Sequence, residues 1–347
     1  MADIARVSGV SITTVSHVIN RTRSVRQETE AAVLSAIGKV GYQASAVNGS
    51  APSRVLGVAS SAFSNPSFSD LLHGIEQSAT RNGYSLLLSE TRDVVNNELR
   101  AVTGLIDNRV QAILLAPSPA PIAALEYAKS RNVPVVLLDR MVDADVDQVG
   151  SDNIDAVGQL VDHVAELGHT RIAMISGMPG LSTTEERIVG FRRAAERHEI
   201  KLTKSSIVSG EGADPGSQEA MTQLMTSTRP PTAVVTGNNR ATIGAMRAAR
   251  QLGIDVPRDV ALVAYDDFEW ADLFHPRLTV IAQPTTQIGE SAVDLAVSRI
   301  LHPDRAPRRL TLATTFVHRE SCGCPDKAQP PAVSRFDSTG QPMDGSH

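Results

Sequence analysis

Short polar side chains are concentrated near the N-terminus, just after a turn signal. Gly9 can adopt the left-handed backbone conformation of a tight turn, and Ser11 can cap a helix that follows it. Such a helix would carry on one side these residues: Ile12, Thr13, Ser16, His17 and Asn20. Short polar side chains at the start of a helix can bond to phosphates and base edges. The stretch therefore predicts nucleic-acid recognition, although a three-helix scaffold that binds another protein would show the same periodicity.

A second group of polar residues comes after short runs of Val, Ile, Leu and Ala. Asp139, Asn238 and Asp266 each follow such a run within two residues. In open parallel sheets, ligands lie at the carboxyl ends of the strands. Carboxylates and amides complement hydroxyl groups, which both donate and accept hydrogen bonds. These residues predict a site for a small molecule rich in hydroxyls.

Residue patterns of the common enzyme classes are not found in the chain. It contains no Gly-x-x-x-x-Gly-Lys-Ser/Thr phosphate loop and no Gly-x-Ser-x-Gly elbow. His163 and His169 lie on either side of the predicted helix end at Gly168, unlike a pair of metal ligands on one helix. Cys322 and Cys324 are too few and too close for a disulfide framework or a four-ligand zinc site, although they could be redox-active. We therefore predict no catalytic residue, no metal site, no cofactor and no enzyme activity.

The elements that must position these side chains follow two different patterns. In residues 3–42, apolar residues recur at helical spacing in three segments, which predicts three short helices. Beyond residue 54, apolar runs alternate with helix-like segments, which is typical of parallel sheets covered by helices on both faces. These units are too many for one ordinary sheet. The predicted fold is a small all-α helix-turn-helix head joined to two doubly wound α/β subdomains.

Composition and charge change near residue 50. The chain of 347 residues has a net charge of −5, yet its first 50 residues hold five basic and three acidic residues, so the head carries +2 and the remainder −7. This asymmetry favours a nucleic-acid-binding head. A Ser-, Ala-, Gly- and Pro-rich stretch separates the two patterns. The predicted segments are a head (1–44), a hinge (45–54), a two-lobed core (55–324) and a disordered tail (325–347).

The hydropathy and the cysteine content of the chain indicate where in the cell the protein is located. The chain shows neither a signal-peptide core nor a run of about 18 apolar residues. Its two cysteines suit a reducing environment. We predict a cytoplasmic protein that does not span a membrane.

A longer motif surrounds the polar residues of the head. It reads Gly9-Val-Ser-x-x-Thr-Val-Ser-x-Val-Ile-Asn20, followed by Thr29, Val33, Ile37 and Gly41-Tyr42. This motif resembles the lac repressor/purine repressor family of bacterial transcription regulators. The resemblance implies that Ile12, Thr13 and His17 read bases, and that phosphates are contacted by Thr14, Ser16, Asn20 and Tyr42. His17 stands where the family usually has Arg, which reads guanine bidentately, so operator preference should differ.

The same resemblance concerns the hinge. In the family, a short hinge helix places a leucine in the minor groove, but the aligned residues Ser45, Asn48 and Ala51 do not match its pattern. Gly49 and Pro52 also disfavour a helix, and an alanine is too short to unstack a base step. We therefore predict weak DNA bending and weaker operator affinity. A linker that is simply flexible is the alternative.

Residues 55–320 resemble the sugar-binding core that these repressors share with periplasmic sugar-binding proteins. The markers include Leu138-Asp-Arg140, Glu186-Arg-Ile-Val-Gly-Phe191 and Tyr265-Asp-Asp267. The resemblance implies a polar clamp of Arg187, Asn238 and Asp266, lesser contacts from Asp139 and Gln283, and an aromatic platform at Phe68. Trp270 could also face the cleft, with ordinary packing as the alternative.

Together these observations predict a homodimeric, sequence-specific transcription regulator, a repressor that binds a palindromic operator in double-stranded DNA. A carbohydrate-like effector between the two lobes would control its DNA affinity. Dimers or larger oligomers are expected because one short reading helix supplies too few contacts for tight binding. The alternative is a sugar-binding receptor without regulatory DNA binding.

Overall fold

The computed structural model describes residues 2–20, 23, 25–40, 54–61, 63, 66–210, 214–268 and 270–324. The chain forms two compact units, Met1–Ser53 and Arg54–His347, here called the head and the core. Tyr42, the hinge residues Ser45, Asn48 and Ala51, and the tail at 325–347 lie outside the described residues. Within the described part of the chain, no helix is both long enough and apolar enough to cross a membrane.

The described part of the head forms three helices: α1 (Ala2–Ser8), α2 (Ile12–Asn20) and α3 (Gln27–Val40). Gly9 has a φ of 70°, and the Ser11 hydroxyl accepts a hydrogen bond from the Thr14 amide at 3.1 Å. The predicted turn and helix cap are therefore present. A small apolar core joins the three helices and includes Ile4, Val15 and Val33.

The core is built from two lobes. The first lobe contains β1 (Val55–Ser60), α4 (Pro66–Arg81), β2 (Ser85–Glu90), α5 (Val95–Asp107), β3 (Ala112–Leu115), α6 (Ile122–Ser130), β4 (Val135–Asp139) and β5 (Asp147–Ser151). The second lobe contains α7 (Ile154–Glu166), β6 (Ile172–Ser176), α8 (Ser182–Arg197), β7 (Ile207–Ser209), α9 (Asp214–Met225), β8 (Ala233–Thr236), α10 (Asn239–Leu252), β9 (Ala261–Tyr265) and β10 (Thr279–Ala282). The chain then returns to the first lobe with α11 (Thr285–Leu301) and β11 (Arg309–Leu312). The last described strand, β12 (Thr315–Val317), belongs to the second lobe.

The described strands of the core form two six-stranded sheets with matching order. The first is β11-β5-β4-β3-β1-β2 and is entirely parallel. The second is β12-β10-β9-β8-β6-β7, in which only the edge strand β12 is antiparallel. The predicted fold class is confirmed, and across the described stretch 54–324 the chain crosses between the lobes three times, at 152–153, 283–284 and 313–314.

The apolar strands are buried on both faces because helices cover both sides of each sheet. In β3, Leu114 packs in one apolar cluster with α4 and α11, whereas Ile113 and Leu115 pack in another with α5 and α6. The second lobe has the same arrangement, with α7 and α8 on one face and α9 and α10 on the other. Near-continuous apolar runs are the expected sequence of such strands.

A buried carboxylate joins three segments of the first lobe. Asp147 begins β5, has a fully buried side chain and accepts hydrogen bonds from Arg299 and Arg305 at 2.7–2.9 Å. The backbone amide of Arg308 also donates to it at 2.9 Å. Burial alone would raise the pKa of Asp147, but these hydrogen bonds outweigh it and hold the pKa below its usual value.

Asp147→Asn should destabilise the core by about 3–5 kcal/mol at neutral pH, because two partly buried guanidinium groups lose their counter-charge. A lowered folded-state pKa contributes stability that is present above the unfolded pKa and lost as the pH falls through the folded value. The stability gap between native protein and variant should therefore shrink below about pH 4. Urea unfolding at pH 7 and at lower pH measures this gap. Asp145→Asn, an exposed change two residues away, is the control, and a gap independent of pH would contradict the prediction.

Candidate functional site

A polar cavity lies between the two lobes, at the carboxyl ends of their strands. Its volume is about 140 Å³. Both lobes contribute to its lining, which includes these residues predicted from the sequence: Phe68, Asp139, Arg187, Asn238, Asp266 and Gln283. Side chains that are far apart in the sequence therefore meet because the two sheets present the same ends to each other.

Arg187 is the most firmly held of these side chains. It lies on α8 and is only 6% exposed. Its Nε donates to Asn153 Oδ1 at 2.8 Å, and its Nη1 donates to the carbonyl of Gly237 at 2.7 Å. The guanidinium also lies 3.7 Å from the centre of the Tyr265 ring, a cation–π contact. These contacts fix the charge at the cavity wall and leave Nη2 for a ligand.

The Tyr265 ring, on which the Arg187 guanidinium stacks, is itself firmly held. The ring is fully buried, and its hydroxyl donates to the carbonyl of Asp152 at 2.8 Å. Burial raises the pKa of this hydroxyl, so it stays protonated as a donor. Because Tyr265 belongs to β9 and Asp152 to a crossing between the lobes, this hydrogen bond also ties the cavity wall to the connection.

Asp266 and Asn238 are held at the ends of adjacent strands. The Gln283 side chain donates to Asp266 Oδ1 at 2.5 Å, and the backbone amide of Asn239 donates to Asp266 Oδ2 at 3.4 Å. Asn238 caps α10, since its Oδ1 accepts from the Ala241 amide at 2.8 Å. The cap uses the acceptor of the amide group, so the Asn238 side chain offers its NH₂ group to a ligand.

Asp139 and Asp266 occupy equivalent positions in the two lobes. Asp139 ends β4 with a φ of 65°, and Asp266 follows β9 with a φ of 80°. Left-handed backbone is unfavourable for residues other than glycine and is concentrated at functional sites. Burial raises the pKa of Asp139, opposed by the charges of Arg140 and Arg187. Two carboxylates thus face one cavity, which the guanidinium of Arg187 also lines.

Arg140 adds a second fixed guanidinium at the cavity. It forms an ion pair with Asp93 and donates to the carbonyl of Pro117 at 3.0 Å. Both Arg140 and Asp93 line the cavity. The sequence motif Leu138-Asp-Arg140 marks the core but does not predict the roles of Arg140 and Asp93. The roles of Asn153 and Tyr265 are likewise not predicted from the sequence. The motif Tyr265-Asp-Asp267 could have indicated the role of Tyr265, whereas the role of Asn153 can be recognised only in the folded structure.

The two predicted aromatic contacts have different outcomes. Phe68 lines the cavity and packs against Phe63 with ring centres 4.9 Å apart. Trp270 does not line it and instead packs against Phe268 and Phe274, on a separate groove beside α10. The structure therefore corrects the assignment of Trp270 to the cleft. Packing against these aromatic neighbours determines the position of Trp270.

The predicted DNA-reading residues lie on α2 of the head. Ile12 and Thr13 are exposed, while Thr14, Ser16 and His17 are half-buried. The Thr14 hydroxyl lies 2.8 Å from that of Ser11 and so takes part in the helix cap. Asn20 ends the helix, but its side chain and Tyr42 lie outside the described residues. The exposed start of α2 can thus approach a groove of DNA.

Comparisons with known proteins agree with both parts of the chain. Residues 1–45 match the model of bacterial regulatory proteins of the lacI family, and residues 161–322 match that of the periplasmic binding protein-like domain. The ribose operon repressor of Escherichia coli (strain K12) is 33% identical over 326 residues, covering 92% of this chain and 99% of that protein.

Two solved structures are similar over the same length. The complex of the transcriptional regulator CelR with cellobiose has a TM-score of 0.72 and 28% identity, covering 92% of this chain and 98% of that one. The lac repressor dimer bound to operator and the anti-inducer ONPF has a TM-score of 0.74 and 25% identity, with the same coverage. The similarity extends over both the head and the core.

Proposed function

Because the chain belongs to the lacI family of bacterial regulatory proteins, we propose that a monosaccharide bound between its lobes controls its affinity for operator DNA. The protein is a DNA-binding transcriptional repressor with a ligand-binding core. The observation that carries the monosaccharide proposal is the cavity of about 140 Å³ with charged side chains from both lobes. The E. coli relative is a ribose operon repressor, which agrees with a sugar of this size.

The volume of the cavity selects the size of the effector. Pockets for drug-sized ligands have volumes of about 300–1,000 Å³. One sugar ring is therefore a better fit than the disaccharide in the CelR complex.

The chemistry of the lining selects a neutral hydroxyl-rich molecule. Asp139 and Asp266 can accept from vicinal hydroxyls, while Arg187 and the Asn238 amide can donate to them. Phe68 offers an aromatic face for the C–H side of a sugar ring. We assign Gln283 a lesser role, because its amide already holds Asp266.

For the head, we propose that α2 enters the major groove of a palindromic operator. Ile12, Thr13 and His17 are the base-reading residues, and the phosphate contacts come from Thr14, Ser16, Asn20 and Tyr42. A homodimer supplies two such helices for the two half-sites. The lac repressor structure is a dimer on its operator, which supports this arrangement. Such a protein acts where the DNA is, in the cytoplasm.

An effector can change operator affinity only through its different affinities for two arrangements of the protein. The cavity is formed by both lobes, so a ligand that bridges them favours the arrangement in which they are close. We propose that the sugar is bound unchanged and that this arrangement releases the operator. Couplings of this kind are typically about 5- to 150-fold in affinity.

A titration with labelled operator DNA tests the proposal. Fluorescence anisotropy at one fixed salt concentration would be measured alone and with individual pentoses and hexoses, including ribose. We expect one monosaccharide to weaken operator binding about 5- to 150-fold, while its epimers act more weakly. A response confined to disaccharides, or none to any sugar, would contradict the monosaccharide assignment.

A further inference from the structure

A group of sulfur and nitrogen ligands lies in the second lobe, away from the cavity. His163, His318, Cys322 and Cys324 each offer one side-chain atom, and these four atoms all lie within 4.8 Å of one another. The Cys322 sulfur lies 3.3 Å from His318 Nε2, and the Cys324 sulfur lies 3.5 Å from His163 Nε2. The cavity lining contains none of the four.

Local structure explains how distant residues meet here. His163 lies in the last turn of α7, whereas the other three residues follow β12 at the end of the described chain. Gly323 has a φ of 76°, a conformation that favours glycine and lets the chain turn between the two cysteines. Ser321 anchors the turn by donating to the carbonyl of Leu262 at 2.6 Å.

The distances match a tetrahedral metal site. With Zn–S of about 2.3 Å and Zn–N of about 2.0 Å, neighbouring ligand atoms of a tetrahedral zinc ion lie about 3.3–3.8 Å apart. Both close sulfur–nitrogen pairs fall in this range. The remaining pairs lie within 4.8 Å, so movements of about 1 Å would complete the tetrahedron.

The ligand chemistry favours zinc over hard cations. Thiolates and imidazoles suit Zn²⁺, whereas Mg²⁺ and Ca²⁺ prefer oxygen. Two thiolates and two neutral imidazoles also balance the charge of a divalent ion, which suits a partly buried site. Cys322 is fully buried in the apolar cluster of the lobe, and neither cysteine forms a disulfide. His318 is exposed and gives an ion access from solvent.

The surroundings restrict where the imidazoles can move. The His163 ring lies 5.1 Å from that of Phe316 and 5.3 Å from that of His318. Arg319, next to His318, forms a two-pronged ion pair with Asp267 at 2.8–2.9 Å. The ligands are thus mounted on a packed helix and on a turn that is tied to the sheet.

We propose that His163, His318, Cys322 and Cys324 bind one zinc ion, which fastens the C-terminal segment at 315–324 to α7. Two cysteines alone are too few to predict a metal site from the sequence, and only the fold brings His163 close to them. The ion has a structural role: it holds the edge strand β12 in place at the end of the second sheet.

Cobalt binding to the full-length protein tests the proposal. The affinity tag is removed, the thiols are kept reduced, and chelator-treated protein is titrated with Co²⁺ alone. We expect one Co²⁺ per chain, with the visible bands of tetrahedral cobalt and a near-ultraviolet thiolate-to-metal band, both displaced by Zn²⁺. Zn²⁺ should also raise the melting temperature.

Ligand variants make the test specific. Cys324→Ser and His318→Gln should each weaken Co²⁺ binding at least about 10-fold and remove the stabilisation by Zn²⁺. His302→Gln, an exposed histidine outside the cluster, should bind cobalt like the native protein. The proposal is overturned if the native protein shows no thiolate-to-cobalt band, or if both ligand variants keep it unchanged.

Discussion

Replacing Arg187 by alanine should abolish the response of DNA binding to the sugar while leaving operator binding itself unchanged. The guanidinium is held by Asn153 and the Gly237 carbonyl, so its loss removes ligand contacts and also releases two neighbouring groups of the wall. A hydrogen bond to a charged group contributes about 1.5–3 kcal/mol. We therefore expect sugar affinity to fall roughly 100-fold, at 1.4 kcal/mol for each tenfold change. Calorimetric titration with the sugar, together with operator anisotropy, measures both properties.

Two variants serve as comparisons for Arg187→Ala. Arg192 lies on the same helix but is exposed, so Arg192→Ala should retain the full response. Arg187→Lys keeps the charge but loses the planar fork that bonds to Asn153 and Gly237, so it should be intermediate. If Arg187→Ala binds the sugar within about threefold of the native affinity, the assignment of Arg187 is wrong, whereas operator binding and the family are unaffected.

Val15→Asp should abolish specific operator binding and leave sugar binding intact. Val15 is fully buried in the small apolar core of the head. A unit of about 50 residues has little stability to spare, and an unpaired carboxylate in its core costs several kcal/mol. Specific binding exceeds non-specific binding by about 1,000-fold or more, and this difference should disappear. Anisotropy with operator and with scrambled DNA measures the loss.

The matched control for Val15→Asp is Leu34→Asp. Leu34 lies on α3 and is 56% exposed, so the same carboxylate there remains solvated and the head should stay folded. Circular dichroism of both variants checks the folding of the head. If Val15→Asp bound the operator specifically at the native level, α2 could not be the reading helix, because the disrupted core of the head could no longer hold α2 in position.

Much of the site could be predicted because the fold brings strand ends together. Asp139, Asn238 and Asp266 follow apolar runs, and parallel sheets gather such positions at one edge. The turn at Gly9 and the Ser11 cap are local signals, which depend on neighbouring residues alone. Arg187 is different, because a lone arginine on a helix is usually a surface residue. Its assignment came from the resemblance to a family.

Other features depend on contacts between remote parts of the chain. The residue type of Trp270 allows either a place in the cleft or ordinary packing, and contacts with Phe268 and Phe274 hold it outside the cavity lining. The stacking of Tyr265 under Arg187 joins a strand to a helix far along the sequence. His163 meets the cysteines only because α7 packs near the last strand of its lobe. Spacing along the sequence contains no information on these contacts.

Because the chain crosses between the lobes three times, the parts of each lobe are not synthesised consecutively. The strands β1–β5 emerge first, but one face of their sheet is covered by α11, which includes the buried residues Ile288 and Val293. The helix α4 is made early and covers part of this face, but the part over β3, β4 and β5, which α11 contacts, stays uncovered while more than a hundred residues of the second lobe are synthesised. Domains often fold as they emerge, and uncovered apolar sheets are prone to aggregate. During synthesis, the lobe that is made first therefore has to wait for a helix that is made after most of the second lobe.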